Sequence, residues 1–233
     1  MHLITGATGI VGTRLMLELL LKGESVRALR RASSNLSWPE RIFEFLGHSE
    51  LFESIEWVEG DVTDVESLIQ AMNGVRFVYH TAAVVSFHRR DIDVMFKVNV
   101  EGTANVVNVA ASSGVEKVCH ISSTAAVGRS ESGQLVTEET EWKDSPLNSA
   151  YAITKRNAER EVFRSQVEGL QTVVINPSVI VGPGDRKRSS AVIFSKVDEG
   201  LKFYPLGANA FVGVKDVARA AILLMESATT GDR

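Results

Sequence analysis

The 233-residue chain has a single cysteine, Cys119, so no disulfide can form within it and a reducing compartment is the natural setting. Cys119 falls in the apolar run Val118-Cys119-His120-Ile121, which reads as a buried strand thiol. No repeat and no low-complexity linker divides the chain. Neither a basic leader nor a long apolar stretch opens it, because Met1-His2-Leu3-Ile4-Thr5 runs straight into a glycine turn. No membrane partner is therefore expected, and a cytoplasmic location is. The net charge of −4 is too mild to point to nucleic acid or to a membrane surface. Metal ligation finds no footing either. His2, His48, His80, His88 and His120 lack ligand spacing with cysteine or with one another, and each reads as structural or exposed.

What is present is an ordinary globular composition, 44% hydrophobic and 23% charged. The length suits one large domain, or one domain with a fragment of a second. Short apolar runs rich in β-formers alternate with longer helical patterns. Strands are expected at residues 2–5, 25–29, 55–59, 77–80, 117–122 and 172–176. Helices are expected near residues 10–22, 64–72, 94–113, 149–168 and 214–227. Alternation of this kind implies a parallel sheet wound on both faces by helices. Val11, Leu15 and Leu19 form one helical stripe facing that sheet. Thr63-Asp64-Val65-Glu66 fits a capping box at a helix start. The polar stretch from Arg129 to Asn148 is too long for a simple connector and reads as a loop serving a site.

The first turn carries the chemistry. Thr5-Gly6-Ala7-Thr8-Gly9-Ile10-Val11-Gly12 spaces three glycines three apart, between a strand and a helix. Gly6 permits a tight turn, Gly9 lets amides approach a pyrophosphate, and Gly12 lets the helix and the strand pack closely. The helix start offers free N–H groups and partial positive charge to an anion. NAD-binding units of this kind place an acidic residue about twenty positions on. Here the second strand ends instead at Arg30-Arg31, whose guanidinium groups would favour the 2′-phosphate of NADP. A solvated basic strand end is the alternative.

Further motifs follow in order: Asp61-Val62, His80-Thr81-Ala82-Ala83, Asn99 through Thr103, Ser122-Ser123, Tyr151 with Lys155, and Asn176-Pro177-Ser178. With the glycine turn, this set resembles the extended short-chain dehydrogenase/reductases, loosely the NAD-dependent epimerase/dehydratase family. Gly182-Pro183-Gly184-Asp185 and Phe211 through Ala218 look like the dihydroflavonol-reductase and 3β-hydroxysteroid-dehydrogenase branch. The resemblance implies an α/β doubly wound parallel sheet, the Rossmann fold, over residues 1–233. It implies that about 177–210 begin a small C-terminal substrate lobe that is otherwise largely absent. Members usually continue past the equivalent of Arg233, so the chain is expected to be truncated or incompletely observed. The resemblance places Gly6, Thr8, Gly9, Ile10, Val11 and Gly12 at the phosphates. Asp61 and Val62 would flank the adenine, and Ala82 and Ala83 would line the cofactor. Ser122 would touch the cofactor too, with Pro177, Ser178 and Val179 at the nicotinamide end. Asn99 would be structural. Helices like those at residues 94–113 and 149–168 form a dimer bundle in the family, so a homodimer is plausible.

Ser123, Tyr151 and Lys155 would be the catalytic set. Tyr151 and Lys155 stand four apart on one helix face. Bringing a tyrosine from about 10 to neutrality takes roughly 4 kcal/mol. One ammonium about 4 Å away at an effective dielectric of 20 supplies that much. Lys155 is thus expected to lower the Tyr151 pKa and, as the resemblance implies, to hold the nicotinamide ribose. Tyr151 would act as general acid/base on a secondary alcohol or ketone, with Ser123 binding its oxygen. The expected cofactor is NADP, with NAD possible, and the partner a small molecule. A nucleotide-sugar epimerase and a non-catalytic NADP sensor are the competing readings. Arg186-Lys187-Arg188 reads as a solvated loop or a site for an anionic substrate.

Overall fold

The computed structural model describes residues 1–128, 136–184, 191–200, 203 and 209–232. The Arg186-Lys187-Arg188 run and the first part of the loop after Gly128 lie outside them. Six parallel strands form the main sheet in the order β3-β2-β1-β4-β5-β6. These are β1 (His2–Thr5), β2 (Val26–Arg30), β3 (Glu56–Glu59), β4 (Phe77–His80), β5 (Lys117–Ile121) and β6 (Gln171–Ile175). Strand order reverses between β1 and β4. Their carboxyl ends diverge there, which opens the crevice where such sheets bind ligands.

Alternation along the strands divides the core between the two faces. Ile4, Tyr79, Cys119 and Val173 join one apolar cluster, with α1 (Ile10–Leu21) and the chain's last helix, Val214–Glu226. Their neighbours Leu3, Val78, Val118 and Val174 join the other cluster, which lies beneath the helices of the opposite face. Both faces being covered, β5 is buried along its whole length. Val11, Leu15 and Leu19 are all buried, as the helical stripe requires.

Several details differ from the sequence reading. Strand β2 runs one residue later, so Arg30 closes it. Between β2 and β3 stand two unforeseen helices, α2 (Ser37–Phe45) and α3 (Ser49–Phe52). Pro39 masks α2 in the sequence, yet lies in its first turn, where no helical N–H is lost. Helix α4 (Val65–Met72) is capped not by Thr63 but by Asp64, whose carboxylate accepts from the Glu66 and Ser67 amides. The Thr63 hydroxyl is taken by Asp61 Oδ1 at 2.8 Å.

The helix expected at 94–113 is three pieces: α5 (Ile92–Met95), a π-helical segment Phe96–Glu101, and α6 (Gly102–Ser112). A Cβ on Gly102 would sit 2.7 Å from Val62 Cγ2, so this glycine lets α6 press against the loop after β3. Beyond β5 come α7 (Thr124–Val127) and α8 (Ala150–Val167), whose N-cap is Ser149. A second, two-stranded parallel sheet pairs β7 (Val179–Val181) with β8 (Phe211–Gly213). Between them lies α9 (Ala191–Asp198), and β8 runs directly into α10 (Val214–Glu226). Helix α10 returns to lie beside α1, and buried Lys117 anchors its end by donating to the Leu224 and Ser227 carbonyls at 2.6 and 3.0 Å.

Candidate active site

Gly6 has a φ of +67°, and the chain after β4 crosses it so closely that a Cβ would meet Ala82 N at 2.6 Å. A side chain is excluded on both counts. Gly12 has a different partner from the one expected. A Cβ there would strike the Gly6 carbonyl and lie 2.7 Å from Ala7 Cα, so it packs against the turn rather than the strand. Helix α1 begins just after Gly9, and its first-turn amides have no intrahelical acceptor.

Above this turn is a cleft of about 650 Å³. Gly6, Thr8, Gly9, Ile10 and Val11 line its middle, and Arg30, Arg31, Asp61 and Val62 line the β2–β3 end. Ala82, Ala83, Ser122, Tyr151 and Lys155 line the other end. Gly12, Ser123, Pro177, Ser178 and Val179 are not on its wall. Pro177 is buried and accepts from the Thr124 amide at 3.1 Å, and Ile180 reaches the wall from β7. The sequence reading missed Ser34, Asn35 and Trp38 at one end and Val84, Val85 and Val98 at the other. Adjacency to the quoted His80–Ala83 motif is a signal that could have found the first two valines.

Arg30 is not as free as its sequence neighbours suggest. Parallel register sets it opposite Glu59, and the two side chains approach to 4.0 Å. The buried Arg30 Nε has no partner among the described residues, so a donor remains at this end. Asp61 receives the Thr63 amide at 2.9 Å as well as its hydroxyl.

Beneath the turn runs a buried polar chain whose direction can be deduced. The Thr103 hydroxyl donates to the Asn99 carbonyl at 2.6 Å, which uses its only proton. It must then accept from His80 Nε2–H at 2.9 Å, leaving Nδ1 to accept from the Thr5 hydroxyl at 2.7 Å. Thr5 Oγ1 accepts in turn from the Ala82 amide at 3.4 Å. Asn99, inside the π-helical segment, accepts from the Val84 amide at 2.7 Å. Its Nδ2 donates to the Val84 carbonyl at 2.9 Å and to Thr154 at 3.1 Å. The loop after β4 is thereby tied both to the turn and to α8.

Tyr151 occupies the first turn of α8, edge-on to the exposed ring of Phe87 at 6.2 Å. Burial raises its pKa, and a hydrogen bond with Ser123 acts in the opposite direction. Ser123 also caps α7, accepting from the Ala125 amide at 3.2 Å. The expectation that Lys155 depresses the tyrosine is not met. The Lys155 ammonium, buried one turn on, is directed under the end of β5. It donates to the Ile121 carbonyl at 2.8 Å and faces His120 Nε2 at 3.3 Å. Burial brings Lys155 down to about 8, with Glu159 acting against the shift. Asn176 bridges the Glu159 carboxylate and the Ser123 carbonyl, joining β6 to both.

The architecture matches known proteins. The model of the NAD dependent epimerase/dehydratase family fits residues 2–233. Sterol demethylase protein B of Methylococcus capsulatus is 34% identical over 99% of this chain and 67% of its own length. The 3 beta-hydroxysteroid dehydrogenase/Delta 5-->4-isomerase of Mycobacterium tuberculosis is 32% identical over 79% of this chain and 48% of its own. This chain thus spans between about half and two thirds of these relatives. The crystal structure of the Bordetella bronchiseptica enzyme WbmH in complex with NAD+ is 26% identical, with a TM-score of 0.78, over 98% of this chain and 73% of that one. The chain belongs to the NAD dependent epimerase/dehydratase family of Rossmann-fold proteins.

Proposed function

We propose that this chain binds a nicotinamide dinucleotide, NADP in preference to NAD, and works as an oxidoreductase on a secondary alcohol or ketone. The observation that carries the reading is that one cleft is walled by the glycine turn, Arg30–Arg31 and Tyr151–Lys155 together. The steric cradle at Gly6 and the unpartnered Arg30 Nε both fit a phosphorylated dinucleotide. Gly6, Thr8, Gly9, Ile10 and Val11 would hold the pyrophosphate, Arg30 and Arg31 the 2′-phosphate, and Asp61 and Val62 the adenine. Ala82, Ala83, Ser122 and Lys155 would hold the nicotinamide half, with Pro177, Ser178 and Val179 supporting it from behind. The bound cofactor would supply or accept the hydride.

Tyr151 is the proton donor in this scheme. Burial raises its pKa from the ordinary tyrosine range, which keeps the phenol in the form that can protonate a carbonyl oxygen. That favours reduction as the direction needing no prior deprotonation. Ser123, hydrogen-bonded to the phenol, holds the substrate oxygen within reach. The described residues between about 177 and 210 would begin the substrate lobe.

One observation favours a second reading. The Glu59 carboxylate offsets part of the Arg30 charge and repels a 2′-phosphate, which suits NAD and with it an epimerase. Following cofactor absorbance across a panel of ketones and aldehydes tests the proposal. Turnover of at least one carbonyl, faster with NADPH than with NADH, is the expected result. Cofactor binding without turnover across the whole panel would favour a non-catalytic sensor.

A further inference from the structure

His120 plays no part in the scheme so far, yet it is 1% exposed and in direct contact with Lys155. A lysine ammonium only donates, so Nε2 of a neutral His120 must accept, and the ring proton lies on Nδ1. That Nδ1 has no partner among the described residues. An orphaned buried donor is costly, and an aliphatic side chain would fill this strand position without it. The compensation is the bond to Lys155, a buried cation whose other described acceptor is the Ile121 carbonyl.

We propose that His120 is a positioning residue for Lys155, whose imidazole and the Ile121 carbonyl together fix two ammonium N–H bonds and aim the third into the cleft. The proposal rests on the reading of Lys155 as a cofactor-holding residue. The groups facing this ammonium are Glu159 on α8, His120 on β5 and His80 on β4, whose ring lies 5.1 Å from that of His120. Both imidazoles are held neutral by burial and by the ammonium itself, so neither competes for its charge. Without His120, the buried ammonium loses an acceptor on the strand side, and no charged group takes its place there. A neutral lysine then becomes easier to form, so its pKa should fall.

The test is the Lys155 titration in the cofactor-free protein, read by NMR with carbon-13-labelled lysine. The wild type should titrate near 8. His120→Leu fills the space without an acceptor and should titrate about one unit lower, the usual scale for one hydrogen bond to a charge. His120→Gln, which restores an acceptor, should return to within a few tenths of wild type. If the leucine variant does not fold, His120→Asn replaces it, being too short to reach Nζ. NADPH affinity should weaken about tenfold in the leucine or asparagine variant and recover in the glutamine one, about what one lost bond to a charged group implies. Equal lysine midpoints in all folded variants would overturn the proposal. An equal fall with leucine and glutamine would also do so, because His120 would then be only a packing residue. Wild type that fails to bind NADPH would sink the cofactor reading alone, since the lysine titration does not depend on it.

Discussion

Acidifying the protein from pH 7.5 to 5.0 should weaken its fold, and His80 alone accounts for a predictable part of the loss. Its ring is fully buried and satisfied as the neutral form by Thr5 and Thr103, with burial and then Lys155 bringing its pKa to about 3. An unfolded histidine titrates near 6.5. Between these values the unfolded chain binds a proton that the folded one refuses, so stability falls as pH falls. The His80 contribution is complete above 6.5 and is lost at roughly 1.4 kcal/mol per pH unit below it. By pH 5.0 that is about 2 kcal/mol, a large fraction of a domain's usual margin. Urea unfolding at the two pH values measures the change, and His80→Asn serves as the reference. The asparagine variant should be less stable at pH 7.5 but should lose about 2 kcal/mol less on acidification. An identical loss in both proteins would refute the neutral, walled-in histidine.

Other consequences are equally direct. Arg30→Asp should reverse an NADPH preference of about tenfold to a hundredfold, the scale of a solvent-weakened charge-assisted bond. Titrating NADPH and NADH in one low-salt buffer reads this, and tighter NADH binding by the wild type would reject it. Gly102→Ala should destabilise the protein by about 1–3 kcal/mol despite alanine's better helix propensity, because its methyl meets Val62. Adding Val62→Ala should recover part of that loss in thermal unfolding. No recovery would mean the clash lies elsewhere.

Much of this architecture could be read from the chain alone. Short apolar runs bounded by glycine and polar residues located six strands, and the glycine turn read after the first of them lines the cleft. What escaped has physical reasons. A one-residue expansion of a helical turn leaves the apolar pattern nearly unchanged, so the π-helical segment around Asn99 was invisible. Glu59 lies far from Arg30 in sequence and meets it only through parallel register. Four-residue spacing put Tyr151 and Lys155 on one helix face, but where the long lysine ends depends on its acceptors. Ile121 and His120 supply those from β5, which meets α8 only in the folded chain.

The central claim is that a buried, protonated Tyr151 supplies the proton in a reaction run on the cofactor bound beside it. Tyr151→Phe, assayed for turnover of NADPH and a carbonyl it accepts, tests this most directly alongside the same variant's NADPH affinity. Cofactor affinity should stay within about twofold of wild type while turnover falls by about 10²–10⁴, the range for a positioned general acid. A phenylalanine variant that keeps more than about half of wild-type turnover, far outside that range, would remove Tyr151 from the chemistry.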